Sequence, residues 1–274
     1  MSFSLLQNFS ASKYYEAAQA GSLTGAPSYS VGVLVAPLIQ AALATQQYVF
    51  GNAPAAGNAG LSFRQAATTA AFQASQGTVV QASGTTLADA TDDGSSQALA
   101  NTFKSVVNGS SVVTTGPVQA FPNLKANAMA LAIMVVDGTN QTLVINGAVV
   151  AVTARNATTS ANPFRIGLSP DGTLPMDSLG FAGAFYHSAA LTVPEILALQ
   201  AAAAQQQDIP VNTLNSPWAT PVTLDYVWST KISNPDARAS WVSRGGAASP
   251  ITMVRHGTWV PGTDTLAVNY PWGL

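Results

Sequence analysis

The stretch Met129-Ala130-Leu131-Ala132-Ile133-Met134-Val135-Val136-Asp137-Gly138-Thr139-Asn140-Gln141-Thr142-Leu143-Val144-Ile145-Asn146-Gly147-Ala148-Val149-Val150-Ala151-Val152 decides the fold. Three apolar runs, 129–136, 142–145 and 148–152, are separated by Asp137-Gly138 and by Asn146-Gly147. Each run is too short for a helix of ordinary length and is rich in β-branched residues, which suit a pleated surface. Asn-Gly between two such runs is the signature of a two-residue hairpin, because a type I′ turn needs positive φ at both central residues. The segment therefore predicts three antiparallel strands in a row.

Further strands are expected on either side of it. Tyr29 to Val35 alternates and is ended by Ala36-Pro37, and Gln47 to Phe50 runs into a long surface loop, Gly51 to Gly60. Shorter strands are expected at Leu61 to Arg64, Ala70 to Gln73 and Thr78 to Gln81, and the polar section Ser83 to Ser96, holding Asp89, Asp92 and Asp93, reads as loop. Downstream, Phe164 to Gly167 precedes a Gly/Pro/Asp-rich loop from Leu168 to Asp177, and Phe181 to Tyr186 resumes the alternation. One helix interrupts the strands: Thr192-Val193-Pro194-Glu195 fits a capping box, Pro194 suits the first turn, Leu191 can staple against Ile196, and Ile196, Leu199 and Ala203 share one face. Fraying is expected after Ala204, and Pro210 ends the helix.

Composition narrows the function. The 274 residues are 47% hydrophobic and only 8% charged, about a third of the charged fraction of an ordinary soluble domain. A surface so poor in charge points to an assembly protein covered by partners or by other copies of itself, so a homo-oligomer is expected. The net charge of −2 and the scattered Lys and Arg exclude a nucleic-acid interface as the expected partner. No cysteine is present, so disulfides and thiolate metal sites are excluded. The opening Met1 to Leu6 has none of the features of a secretion signal, and the longest apolar run, Val31 to Ala44, is broken by Gly32 and Pro37, so membrane insertion is not expected and synthesis in a cytoplasm is.

All five tryptophans, Trp218, Trp228, Trp241, Trp259 and Trp272, follow the helix. This break suggests a division into residues 1–207, the sandwich, and 208–274, an extra strand layer or an interaction arm. The tryptophans either plug a small core or offer a contact surface for a partner or a glycan.

The order Leu143-Val144-Ile145-Asn146-Gly147, Phe164-Arg165-Ile166-Gly167, Phe181-Ala182-Gly183-Ala184-Phe185-Tyr186, Ala190-Leu191-Thr192-x-x-Glu195-Ile196 resembles the laminin-G-like, concanavalin-A-like lectin/glucanase superfamily. Tyr29 to Val35 with Pro37 is similar to the opening strand of that superfamily, and the likeness covers roughly residues 10 to 205. It implies an all-β fold, a jelly-roll (concanavalin-like) antiparallel β-sandwich with one short helix, here followed by a C-terminal extension. Activity is not implied, since such folds serve lectins, glycosidases and adhesion modules alike. Ala/Ser/Thr-rich chains of this kind, opening without the features of a secretion signal, also resemble lectin-like modules of bacteriophage virions, and Trp228 with Trp241 to Gly246 resembles segments flanking them. That likeness implies location in a virion and partners among capsid or tail proteins. It leaves two roles, capsid decoration and a tail adhesin holding host surface glycan.

Catalysis finds little support. A glycosidase needs two facing carboxyl groups, and the only glutamates, Glu16 and Glu195, sit in no Glu-x-Asp-x-x-Glu pattern. His187 and His256 have no neighbouring ligand at metal spacing, Ser10-Ala11-Ser12-Lys13 lacks the companions of a Ser-x-x-Lys enzyme, and no Gly-x-Ser-x-Gly elbow occurs. Gly51 to Gly60 lacks the Lys-Ser/Thr of a phosphate loop. No cofactor is expected. Calcium is the one ion for which the loops offer hard oxygen ligands, at Asp92-Asp93-Gly94 and between Ser169 and Asp177, but neither has the acidic spacing of a committed site and plain turn chemistry is the better explanation of both. Asn8, Asn108, Asn140 and Asn156 head Asn-x-Ser/Thr triplets, which matter only in a secreted eukaryotic chain.

Overall fold

The computed structural model describes residues 3–18, 28–37, 46–52, 60–64, 87–90, 96–99, 106–107, 110–111, 129–154, 162–176, 179–214, 217, 219–231, 240–260 and 264–268. The elements are β1 (Phe3–Leu6), β2 (Tyr14–Ala17), β3 (Tyr29–Pro37), β4 (Gln46–Gly51), β5 (Gly60–Arg64), β6 (Leu87–Ala90), β7 (Ser96–Leu99), β8 (Val106–Val107) and β9 (Ser110–Ser111). They continue with β10 (Ala130–Val136), β11 (Asn140–Ile145), β12 (Ala148–Ala154), β13 (Arg165–Ile166), β14 (Leu179–His187), α1 (Val193–Gln206), β15 (Tyr226–Ser229), β16 (Ser240–Val242), β17 (Thr252–His256) and β18 (Thr265–Val268). Two antiparallel sheets form a sandwich. The first has eight strands in the order β12-β11-β10-β3-β14-β1-β18, with β15 added against β14; the second has six in the order β16-β17-β2-β13-β4-β5.

The hairpin signal is realised as read. Asn146 and Gly147 have φ of 47° and 81°, both in the left-handed region the turn requires. Asn146 does more than turn: its side-chain oxygen accepts from the Leu131 amide at 2.9 Å while its own amide donates to the Leu131 carbonyl, so the turn is pinned to β10. At the preceding turn Asp137 accepts from the amides of Thr139 and Asn140.

β10 is buried along its whole length because it feeds two cores. Ala132, Met134 and Val136 enter the core between the sheets, and Leu131, Ile133 and Val135 enter a second core on the outer face of the eight-stranded sheet. That second core is closed by α1 through Leu191, Ile196, Leu199 and Ala203. A strand covered on both faces reads as a continuous apolar run, which is what residues 129–136 show. Gly32 belongs to the same layer: a Cβ there would lie 2.1 Å from the Phe185 ring, so the ring can lie over the backbone only because this residue has no side chain.

The helix cap forms through Glu195, which accepts from the Thr192 amide at 2.7 Å and from the Thr192 hydroxyl at 2.8 Å. The hydroxyl is thus turned to the carboxylate as a donor. Ser30, buried in β3, ties the cap to the sheet by donating to the Ala189 carbonyl and accepting from the Leu191 amide, each at 2.9 Å. The helix runs past Ala204 to Gln206 and ends at Gln207 in the left-handed conformation.

Two expectations are corrected, and the first residues, where no strand is expected, also join the sheets: β1 pairs with β14 and β18, and β2 lies between β13 and β17. Ser83 to Ser96 is not wholly loop, since β6 pairs with β7 and Leu87 faces Leu99, a pairing that the polar composition hides. Residues after 207 are neither a further layer nor an arm in their described part: β15 and β18 join the eight-stranded sheet, and β16 and β17 join the six-stranded one. The compositional break marks where the chain returns to complete both sheets. The strands expected at Ala70 to Gln73 and Thr78 to Gln81 lie outside the described residues.

Candidate functional site

Trp228, Trp241 and Trp259 are 0%, 1% and 4% exposed, so they fill the core and do not form a contact surface. Trp241 meets Tyr15 edge-on at 5.4 Å and Phe181 at 6.0 Å; Trp259 meets Phe9 at 4.9 Å; Trp228 lies 5.7 Å from Phe50. Position explains this: Trp241 is the inward residue of β16, whose two neighbours point to solvent. Trp218 and Trp272 lie outside the described residues.

The outward face of the six-stranded sheet is different. In β2 the odd pattern of burial sends Tyr15 and Ala17 inward and leaves Tyr14 and Glu16 outward. Arg165 is the outward residue of β13, and Val254 and His256 those of β17. Register then sets them side by side: Arg165 opposite Glu16, Glu16 opposite Val254, and Tyr14 opposite His256. Five residues scattered through the sequence become one cluster on three adjacent strands.

Its geometry is tight. The Tyr14 and His256 rings stack at 4.3 Å and 7°. The Arg165 guanidinium lies 4.8 Å from the Tyr14 centroid, a cation–π distance. Because β2 runs between β17 and β13, the rings and guanidinium form a ladder across the sheet, His256 to Tyr14 to Arg165. Arg165 Nε donates to Glu16 Oε2 at 2.6 Å, with the side chains 16% and 25% exposed. Arg165 Nη1 donates to the carbonyls of Ser169 and Pro170, both at 2.9 Å.

The loop supplying those carbonyls is itself braced. Asp171 accepts from the Ser169 hydroxyl, from the Thr173 amide at 3.1 Å and from the Thr173 hydroxyl at 2.8 Å, and Ser169 accepts from the Leu174 amide at 3.0 Å. Burial would raise the pKa of Asp171, but these donors outweigh it and hold the carboxyl below its ordinary value. Turn chemistry therefore accounts for Asp171, one of the two places considered for calcium. Among the described residues no group of three His, Asp or Glu is placed to hold a metal ion; Asp92, Asp93 and Asp177 lie outside them.

The remaining polar clusters hold the fold together. Lys13 Nζ meets Asp264 Oδ2 at 2.7 Å, and Asp264 also accepts from the Val260 amide at 2.8 Å. Burial pushes Asp264 upward, yet Lys13 and that amide prevail and its carboxyl sits below the ordinary value. This pair fastens the start of β2 to the segment entering β18, and it occupies the lysine of the Ser10 to Lys13 motif. Asp208, buried beyond the helix, accepts from the Ser229 hydroxyl and lies 3.6 Å from Arg244; burial dominates and raises its pKa. His187 Nδ1 lies 3.2 Å from Asp225. Both glutamates are accounted for, Glu195 by the cap and Glu16 by Arg165.

Two antiparallel sheets packed as a sandwich, with one short helix, form a jelly-roll β-sandwich. A candidate carbohydrate-binding protein from Bacteroides ovatus ATCC 8483 superposes over 99% of this chain with a TM-score of 0.56 and 14% identity. The chain spans 62% of that protein's length. A heptameric SAP-like pentraxin from Limulus polyphemus aligns over 82% of this chain and 93% of its own, with a TM-score of 0.42 and 13% identity. Domain 4 of AbnA, an extracellular arabinanase of Geobacillus stearothermophilus, aligns over 66% of this chain and 69% of its own at a TM-score of 0.36 and 13% identity. Of these three, the first alone passes a TM-score of 0.5, and at its low identity it speaks to the fold only. No protein-family model and no curated protein sequence matches the chain.

Proposed function

We propose that this chain is a non-catalytic glycan-recognition module that binds through the outer face of the six-stranded sheet. The observation that carries the reading is the ladder His256, Tyr14, Arg165 with Glu16: ring faces and fixed polar groups held on strands, the combination by which a shallow site holds a sugar. The superposition on a candidate carbohydrate-binding protein supports it at the level of fold. Retention of the full-length chain on immobilised polysaccharides tests it. Retention on at least one polysaccharide, lost in Tyr14→Ala, is the expected result; passage of the wild-type chain through a broad panel without retardation overturns it.

We further read the module as part of a bacteriophage virion, in which glycan recognition makes it a tail adhesin. The charged fraction of 8% favours a second role, decoration of the capsid shell, because a surface so poor in charge suits contact with neighbouring subunits. Copy number separates the two: tens to hundreds of copies per particle are expected of shell decoration, on the order of the symmetry of the shell, and a handful of an adhesin. Absence from purified particles overturns both roles.

A further inference from the structure

The Arg165–Glu16 pair is only partly used by the protein. A guanidinium carries five N–H donors and a carboxylate two acceptor oxygens. Nε is taken by Glu16 Oε2 at 2.6 Å, and Nη1 by the Ser169 and Pro170 carbonyls at 2.9 Å each. Among the described residues nothing accepts from Nη2 and nothing donates to Glu16 Oε1. The unused donor and acceptor belong to two groups already locked together, the guanidinium by three hydrogen bonds and by Tyr14 beneath it. Both side chains keep some exposure, 16% and 25%. The residue paired with Arg165 on β4 is Gly51, so no side chain stands directly opposite Arg165 on that strand.

Resting on the glycan reading above, we infer that this fork takes a vicinal diol of an uncharged sugar. One hydroxyl donates to Glu16 Oε1, and the neighbouring oxygen accepts from Arg165 Nη2. Such a fork is pre-organised, because neither group needs to be ordered afresh when the sugar arrives. Selectivity against acidic sugars follows from charge: Glu16 neutralises Arg165, and a sugar carboxylate brought to the fork meets the like charge of the Glu16 oxygen beside a guanidinium whose charge is already matched. Lys13, the other cation at the start of β2, is already held by Asp264. Val254, opposite Glu16 and 39% exposed, offers the apolar contact that the C–H face of a sugar ring seeks.

The test uses the full chain and five probes in affinity electrophoresis: mannan, dextran, each of these after periodate oxidation, which cleaves vicinal diols, followed by borohydride reduction, and polygalacturonate. Retardation by mannan or dextran, lost after periodate, with none by polygalacturonate, is expected. Glu16→Gln keeps the shape of the acceptor and removes its charge; it is expected to weaken neutral binding by about tenfold, the effect of losing one charge-assisted hydrogen bond, and to admit polygalacturonate. Arg165→Lys, which keeps charge and loses the fork, is expected to weaken neutral binding by at least about tenfold without admitting polygalacturonate. Binding that survives periodate, or a wild-type preference for polygalacturonate, overturns the diol inference and leaves the glycan reading intact. Retardation by none of the five overturns the diol inference alone, provided that another polysaccharide of the broad panel retains the chain; no retention by any overturns both. The periodate comparison is made on the wild-type chain and does not depend on either variant folding.

Discussion

The two outer faces of the sandwich are built from the same alternating strands and end in opposite states. On the eight-stranded sheet the outward residues Leu34, Leu131, Ile133, Val144 and Phe185 are apolar and are sealed under Leu191, Ile196, Leu199 and Ala203. On the six-stranded sheet the outward residues of the central strands are Tyr14, Glu16, Arg165, Val254 and His256, and no helix lies among the described residues to cover them. Burial of an apolar face demands a covering element, and α1 is that element. A face carrying a salt bridge and stacked rings needs no cover, since the charged heads stay in reach of water. On the proposed function, one side of the molecule serves stability and the other recognition.

The largest effect is expected from breaking the covered side. Leu199→Ala removes a fully buried side chain that joins α1 to the sheet, and a loss of about 2–5 kcal/mol in urea unfolding is expected, with polysaccharide affinity unchanged in the fraction that remains folded. An affinity loss matching Tyr14→Ala would break the division of labour.

Next comes the fastening between the sheets. Asp264→Asn should cost about 1–3 kcal/mol at neutral pH, since it leaves the Lys13 ammonium and the Val260 amide with a weaker acceptor. The folded-state pKa of Asp264 lies below its ordinary value of 3.8, so its contribution is present above that value and is lost as pH falls through the lower, folded value. Unfolding curves of wild type and variant should therefore converge in acid; a difference that stays constant from neutral pH into acid would show that the ion pair is not the cause.

A smaller effect is expected at the helix start. Glu195→Ala removes the acceptor of both Thr192 donors, and a loss of about 0.5–2 kcal/mol is expected from thermal unfolding. The smallest change in stability belongs to the open face: His256→Ala should lie within about 0.5 kcal/mol of wild type by the same measurement, while polysaccharide retention falls. A large loss of stability there would mean that the His256–Tyr14 stack serves the fold and not a ligand.

How much of this was legible depended on distance along the chain. The Asn146-Gly147 hairpin, the doubly covered strand at 130–136 and the Glu195 cap are all decided within a few residues, and each could be read directly. β1 and β2 could not, because four-residue strands gain their stability from partners such as β18 and β17, more than two hundred residues away. The tryptophans showed the limit of composition: a large amphipathic ring suits core and surface equally, and only the inward phase of Trp241 within β16 decides between them. The ladder was illegible for the first reason. Tyr14, Arg165 and His256 stand in three separate segments and share no motif; the one local signal was the alternation Tyr14-Tyr15-Glu16-Ala17, and it names a face without naming its neighbours.

The most direct test of recognition by the six-stranded sheet compares two exposed-side substitutions on opposite faces of the molecule, Tyr14→Ala and Leu197→Asn, the latter on α1 where Leu197 is 50% exposed. Polysaccharide retention of both, measured beside wild type at equal folded concentration, should be abolished or weakened at least about tenfold in Tyr14→Ala and unchanged in Leu197→Asn, a tenfold change corresponding to about 1.4 kcal/mol. Retention lost in Leu197→Asn and kept in Tyr14→Ala would place recognition on the helix side and contradict the account.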